Sequence, residues 1–170
     1  MILNHLRIAL LAAWLAVAIY FSAAVAPSAF GVLRSFNLPN AGEIAGTIVT
    51  RTLYLVNLTG LLTSLFLLVT AYVVKKYYGR ASFILLNALL IIVAVSTAAG
   101  EWVIAARMRG LRAAMHGQID QVPLTDPNRI AFAALHGYSV AALSVAMMAA
   151  LVVLVLMILS RPNPVSSFTK

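Results

Sequence analysis

The 170 residues include no cysteine, so a disulfide framework, a thiolate metal ligand and a thiol nucleophile are all excluded. Acids are nearly as scarce: four carboxylates stand against twelve basic residues, and only 9% of the chain is charged. A soluble domain carries about a quarter charged residues, so this chain has too little polar surface to cover itself in water. Metalloprotease HExxH spacing, a Walker-type glycine loop, CxxC and a Ser-His-Asp arrangement are missing as well. The expectation is therefore a protein that is not an enzyme. No internal repeat is present.

What the chain does have is apolar residues, 63% of the total. They fall in four blocks long enough for the ~20 residues that a bilayer-crossing helix needs. The expected spans are about 8–26, 52–74, 81–101 and 136–160, followed by a short tail over 161–170. The fold class that follows is all-α: a single integral membrane domain built as a four-helix bundle. The first block imitates a signal peptide, with Arg7, an apolar run and Ala24-Val25-Ala26. Pro27 directly after that site would block cleavage, so a retained helix is expected.

Punctuation marks the helix ends. Pro27 and Ser28 are expected to break the first helix. Asn40 with Glu43 three residues later has capping-box spacing for the second. The third should stay helical from Glu101 to Met115, and His116–Thr125 reads as a loop. Asp126 as N-cap and Pro127 in the first turn open the fourth, and Arg161-Pro162-Asn163-Pro164 stops it.

A net charge of +8 often signals nucleic acid, but here the basic residues flank the apolar blocks and read as interface anchors. The expected partners are the lipid bilayer and other membrane protein subunits or a second copy, with no nucleic acid. Four spans put both termini on one side. Arg7, Lys75, Lys76, Arg80, Arg161 and Lys170 lie there, against Arg34, Arg51, Arg107, Arg109, Arg112 and Arg129 opposite. The compact Lys75-Lys76…Arg80 loop favours cytoplasmic termini, in a bacterial inner membrane.

Depth can be counted from the terminal-side anchors. Arg51 is 24 residues from Lys75, Glu101 is 21 from Arg80, His136 is 25 from Arg161 and Pro27 is 20 from Arg7. At 1.5 Å per residue these are roughly 30–38 Å, close to the ~30 Å hydrocarbon thickness. All four belong near the far boundary, and helices 2–4 extend beyond it. Ionisable groups in such helices usually face the interior and pair. The expected site is a polar intramembrane cluster of Arg51, Glu101 and His136, with an Arg51–Glu101 pair and Arg107, Arg112 or Arg129 at its mouth.

Helix-register salt bridges and headgroup anchoring are the plainer roles for these charges. His136 stands alone at its depth, since His5 lies on the opposite side and His116 in a loop. Bis-histidine haem is thereby excluded. No cofactor or metal is expected, and a pigment with one axial ligand at His136 is the exception left open. Ala142, Ala146 and Ala150, and likewise Ala9, Ala16 and Ala23, form small-residue seams suited to close helix packing.

Several segments together resemble a known family. They are Ala26-Pro27-Ser28-Ala29-Phe30 with Leu33, then Ala41-Gly42-Glu43-Ile44-Ala45-Gly46 leading to Arg51 and Tyr54. Glu101 with Arg107-Met108 and Leu111-Arg112 follows, and last comes Phe132-Ala133-Ala134-Leu135-His136-Gly137-Tyr138-Ser139. In this order they resemble the transmembrane-protein-205-like family, a four-helix membrane domain of unknown function, over about Leu10 to Leu154. That family often carries an asparagine after the last-helix serine, where this chain has Ala141-Ala142-Leu143-Ser144. The resemblance implies the four-helix fold and brings no established activity.

Three functions fit these residues. The first is a small structural or accessory subunit acting through helix–helix contacts in a larger respiratory or photosynthetic complex. The second is a small oligomeric transporter using Arg51, Glu101 and His136. The third is a pigment- or haem-binding subunit with His136 as ligand.

Overall fold

Four helices carry the chain in the computed structural model, which describes residues 2–115 and 117–159. They are α1 (Ile2–Ser35), α2 (Ala41–Tyr77, its last turn a 3-10 turn), α3 (Arg80–Ala114) and α4 (Pro127–Leu159). The described residues contain no strand. The stop at Arg161 and the tail lie outside the described residues. Each helix is long and apolar enough to cross a membrane. The chain is a polytopic integral membrane protein with the expected all-α four-helix bundle. In hydrocarbon only such self-satisfied backbones are stable.

Each helix has two main neighbours, α1 and α3 both packing against α2 and α4. The inward faces follow a three-and-four spacing. On α1 it runs Arg7, Leu11, Trp14, Ala18, Phe21, and on α4 Ser139, Leu143, Ala146, Ala150, Val153, Met157, all buried. Two of the three alanines in the Ala142 seam, Ala146 and Ala150, are thus spent inside the bundle, whereas Ala9, Ala16 and Ala23 of α1 face outward. Large apolar side chains such as Leu62, Val69, Val95 and Ile158 cover the outer surface, as lipid contact requires.

The expected break at Pro27 and Ser28 does not occur: α1 continues to Ser35. A proline removes one helical donor and its ring strikes the carbonyl four residues back. Phe21–Val25 forms a wide π turn in which the Ala26 N–H reaches back five residues to the Phe21 carbonyl. That turn gives the ring room, and the chain re-enters α-helix with Pro27 in its first turn. The helix ends at Ser35, and Asn37 two residues on has a φ of 50°, which suits an asparagine closing a helix. A second π turn, Ala99–Ala105, interrupts α3.

These two π turns divide the bundle. On the terminal side all four helices interlock around Leu11, Leu67, Leu86, Leu90 and Val153. Beyond the turns, residues 26–35 of α1 pack on α2 and residues 106–114 of α3 pack on α4, and none of these residues is buried. The first buried residue of α4 is Ser139. The far end therefore parts into two helix pairs.

Candidate functional site

Two polar contacts tie the parted pairs together. Arg112 of α3 meets Glu43 of α2 at 2.6 Å, and its other terminal nitrogen donates to the Gly117 carbonyl. In the loop, the Asp120 carboxylate accepts the Gly42 N–H at 3.0 Å. Gly42 is the second residue of α2, so Asp120 supplies a cap from a distant segment. A carboxylate at a helix N-terminus meets both unpaired donors and the positive end of the dipole. Glycine allows this close approach: a Cβ at position 42 would lie 2.4 Å from Asp120 Oδ1, and the carboxylate would have to move off the helix end.

This replaces the expected capping box. The Asn40 side chain makes no cap bond, and Glu43 turns outward to Arg112 instead of back to the backbone. The Asp126 cap of α4 does form, with Oδ1 accepting from the N–H groups of Asn128 and Arg129.

Because the tie is local, Asp120→Ala should loosen only the far end. The expected result is faster hydrogen–deuterium exchange at the amides of Gly42 to Ala45, equivalent to a lost cap of ~1 kcal/mol. Exchange in the terminal-side half should be unchanged. Equal acceleration throughout would show that the halves are one cooperative unit.

Glu101 is the buried carboxylate, 4% exposed. Its partner is Arg109 at 3.0 Å, and the expected Arg51–Glu101 pair does not form. Two geometric facts explain this. At 100° per residue, Arg51 lies about 200° around α2 from inward-facing Val49, and its side chain is exposed. An eighth residue along a regular helix would sit about 80° off Glu101. The π turn adds one residue, which brings Arg109 back to where a seventh would stand.

His136 continues the inward spacing of α4 by one more step, yet it is exposed. The seam it lies on has lost its opposing helix where the pairs part. Arg107 is also exposed in the far half, and Arg129 is held by the Val122 carbonyl. The sequence-predicted residues thus share one end of the bundle without closing on a single pocket. Among the described residues, no group of three or more His, Asp or Glu side chains stands ready for a metal.

No family model, curated protein or solved structure matches the chain.

The sequence reading missed Arg7. Its side chain is fully buried, with Nη1 donating to the Leu67 carbonyl at 2.7 Å and the Thr70 hydroxyl at 2.6 Å. Nε and Nη2 have no partner among the described residues. The signal was its place on the α1 seam, four residues before Leu11 and seven before Trp14. Close by, the Tyr78 hydroxyl donates to Asn4 Oδ1 at 3.3 Å. Burial pushes the Tyr78 phenol above its ordinary pKa, against a weaker pull from the Arg7 charge.

Proposed function

We propose that this protein is a non-enzymatic subunit acting through helix–helix contacts in a larger membrane complex, respiratory or photosynthetic. The observation that supports this reading is the outward seam of Ala9, Ala16 and Ala23 on α1. Small residues let helix backbones approach closely in lipid. The corresponding seam on α4 is largely filled by the bundle's own helices, whereas the α1 seam is unfilled. The resemblance to the transmembrane-protein-205-like family fits such a role without naming it.

The chain's lack of cysteine makes the test direct. Ala16→Cys, labelled with a benzophenone maleimide and photolysed in native membranes, should give a cross-linked band of defined mass. Ala146→Cys, wholly buried, should give none. Purification in a gentle detergent should recover the same partner at fixed stoichiometry. A free monomer that carries no companion, with no Ala16 cross-link, would sink the proposal.

A second reading, a small oligomeric transporter, draws on the parting of the helix pairs around Glu101, Arg51 and His136. It expects proteoliposome flux that falls in Glu101→Gln and Arg51→Ala. Unchanged flux in both variants would remove it.

A further inference from the structure

The far half carries an open groove of about 560 Å³ between α3 and α4. Gly110, Ala131 and Ala134 give it small walls, Leu135 and Tyr138 give it larger apolar ones, and Arg107 is its single charged residue. No carboxylate lines it.

The arginines here are not equivalent. Arg109 is paired with Glu101, Arg112 with Glu43, and Arg129 is bound to the Val122 carbonyl. The two remaining acids are also engaged, Asp120 on Gly42 and Asp126 on its own helix. Among the described residues Arg107 has no side-chain hydrogen bond or ion pair, and no free carboxylate competes for it. An uncompensated guanidinium beside an apolar groove is complementary to a phosphate that carries hydrocarbon.

Height points the same way. Arg107 is 27 residues from Arg80 along α3, so roughly 40 Å, about 10 Å past the far edge of the ~30 Å hydrocarbon layer, from where a long arginine side chain reaches back to the headgroups. The groove from Ala131 to Tyr138 is roughly 10 Å tall, too short a seam for a partner helix and suited to a headgroup and glycerol. Tyr138, more than half exposed, is an aromatic of the kind that favours this layer.

We infer that the groove holds one anionic phospholipid, its phosphate on Arg107 and its glycerol against Ala131 and Ala134, with the acyl chains passing Tyr138 into the bilayer. This site is separate from the outward seam of α1 and does not depend on it.

The test incubates purified protein in neutral detergent with equal phosphatidylglycerol and phosphatidylcholine of matched chains, and counts retained lipids by native mass spectrometry. One phosphatidylglycerol should be retained about fivefold over phosphatidylcholine, which is what one basic residue near an anionic surface contributes. Arg107→Ala should bring the two to parity. Arg51→Ala, which removes an equally exposed arginine outside the groove, should keep the preference. Ala134→Leu should lose the bound lipid with every charge intact. Positions 107 and 134 are both exposed, so unchanged melting temperatures should accompany these losses. No preference in the parent protein, or equal loss in Arg51→Ala, would overturn the site. So would a dimer that Ala134→Leu dissociates while lipid retention stays the same.

Discussion

Arg7→Ala is expected to destabilise the bundle by ~2–5 kcal/mol, while Arg7→Met leaves it within ~1 kcal/mol of the parent or raises it. The Arg7 guanidinium is fully buried on the α1 seam, and it meets only a helix carbonyl and a threonine hydroxyl. The Leu67 carbonyl belongs to a helix, and the Thr70 hydroxyl also donates to Phe66, so neither is orphaned when Arg7 leaves. All four acids lie at the far end, and no counter-ion faces Arg7 among the described residues.

Two of its nitrogens also lack partners. A buried group so poorly compensated contributes little through its charge and much through its volume. Alanine removes both and leaves a cavity, whereas methionine keeps a long flexible chain in place. Lysine should fall below methionine, because it keeps a buried charge that has no counter-ion. Unfolding by heat or by denaturing detergent in mixed micelles measures the series. If methionine is as damaging as alanine, the two hydrogen bonds that join α1 to α2 outweigh the burial of the charge.

Four apolar blocks fix four spans because hydrocarbon admits so few alternatives. The Asp126–Pro127 start of α4 was legible because its cap is local. Counting from the terminal-side anchors placed Glu101, Arg51 and His136 at one end of the bundle, since rise per residue is nearly constant along a helix.

Azimuth was harder, because it depends on the π turns. One residue inserted near Glu101 turns Arg109 toward it, and one near Pro27 lets α1 run on to Ser35. Beyond each turn no residue of that helix is buried, so no apolar stripe continues there whose shifted phase would reveal the insertion. Asp120 was out of reach for a different reason: the cap it provides joins residues 78 apart in sequence. Arg7 is basic and near a helix end, which suggests an anchor, although its seam position argues otherwise. Charge near a helix end does not specify an outward direction when the spacing points inward.

Gly60→Ala should lower stability by ~1–3 kcal/mol, and Gly60→Val by more. A Cβ at position 60 would lie 2.7 Å from the Trp14 indole, against both Cε2 and Nε1. Neither party can retreat easily. Trp14 is 4% exposed, and its Nε1 donates to the Val56 carbonyl at 2.9 Å, one helical turn from Gly60. That bond holds the ring across the α2 backbone, where the absence of a side chain at 60 makes the space. An added methyl must therefore separate α1 from α2 or break the indole bond. Trp14→Phe alone removes the donor but keeps a ring, and it opens room where the methyl would go. The two changes should accordingly be non-additive, Gly60→Ala being less harmful in the Trp14→Phe background than in the parent. The double-mutant cycle is measured by thermal unfolding in detergent. Fluorescence in a Trp102→Phe background reports on Trp14 directly, because Trp14 and Trp102 are the only tryptophans. A blue-shifted emission in Gly60→Ala would show the ring freed from the Val56 carbonyl and expelled among the apolar tails. Strict additivity, with unshifted emission, would mean that α1 and α2 slide apart as rigid bodies and the indole stays on its carbonyl.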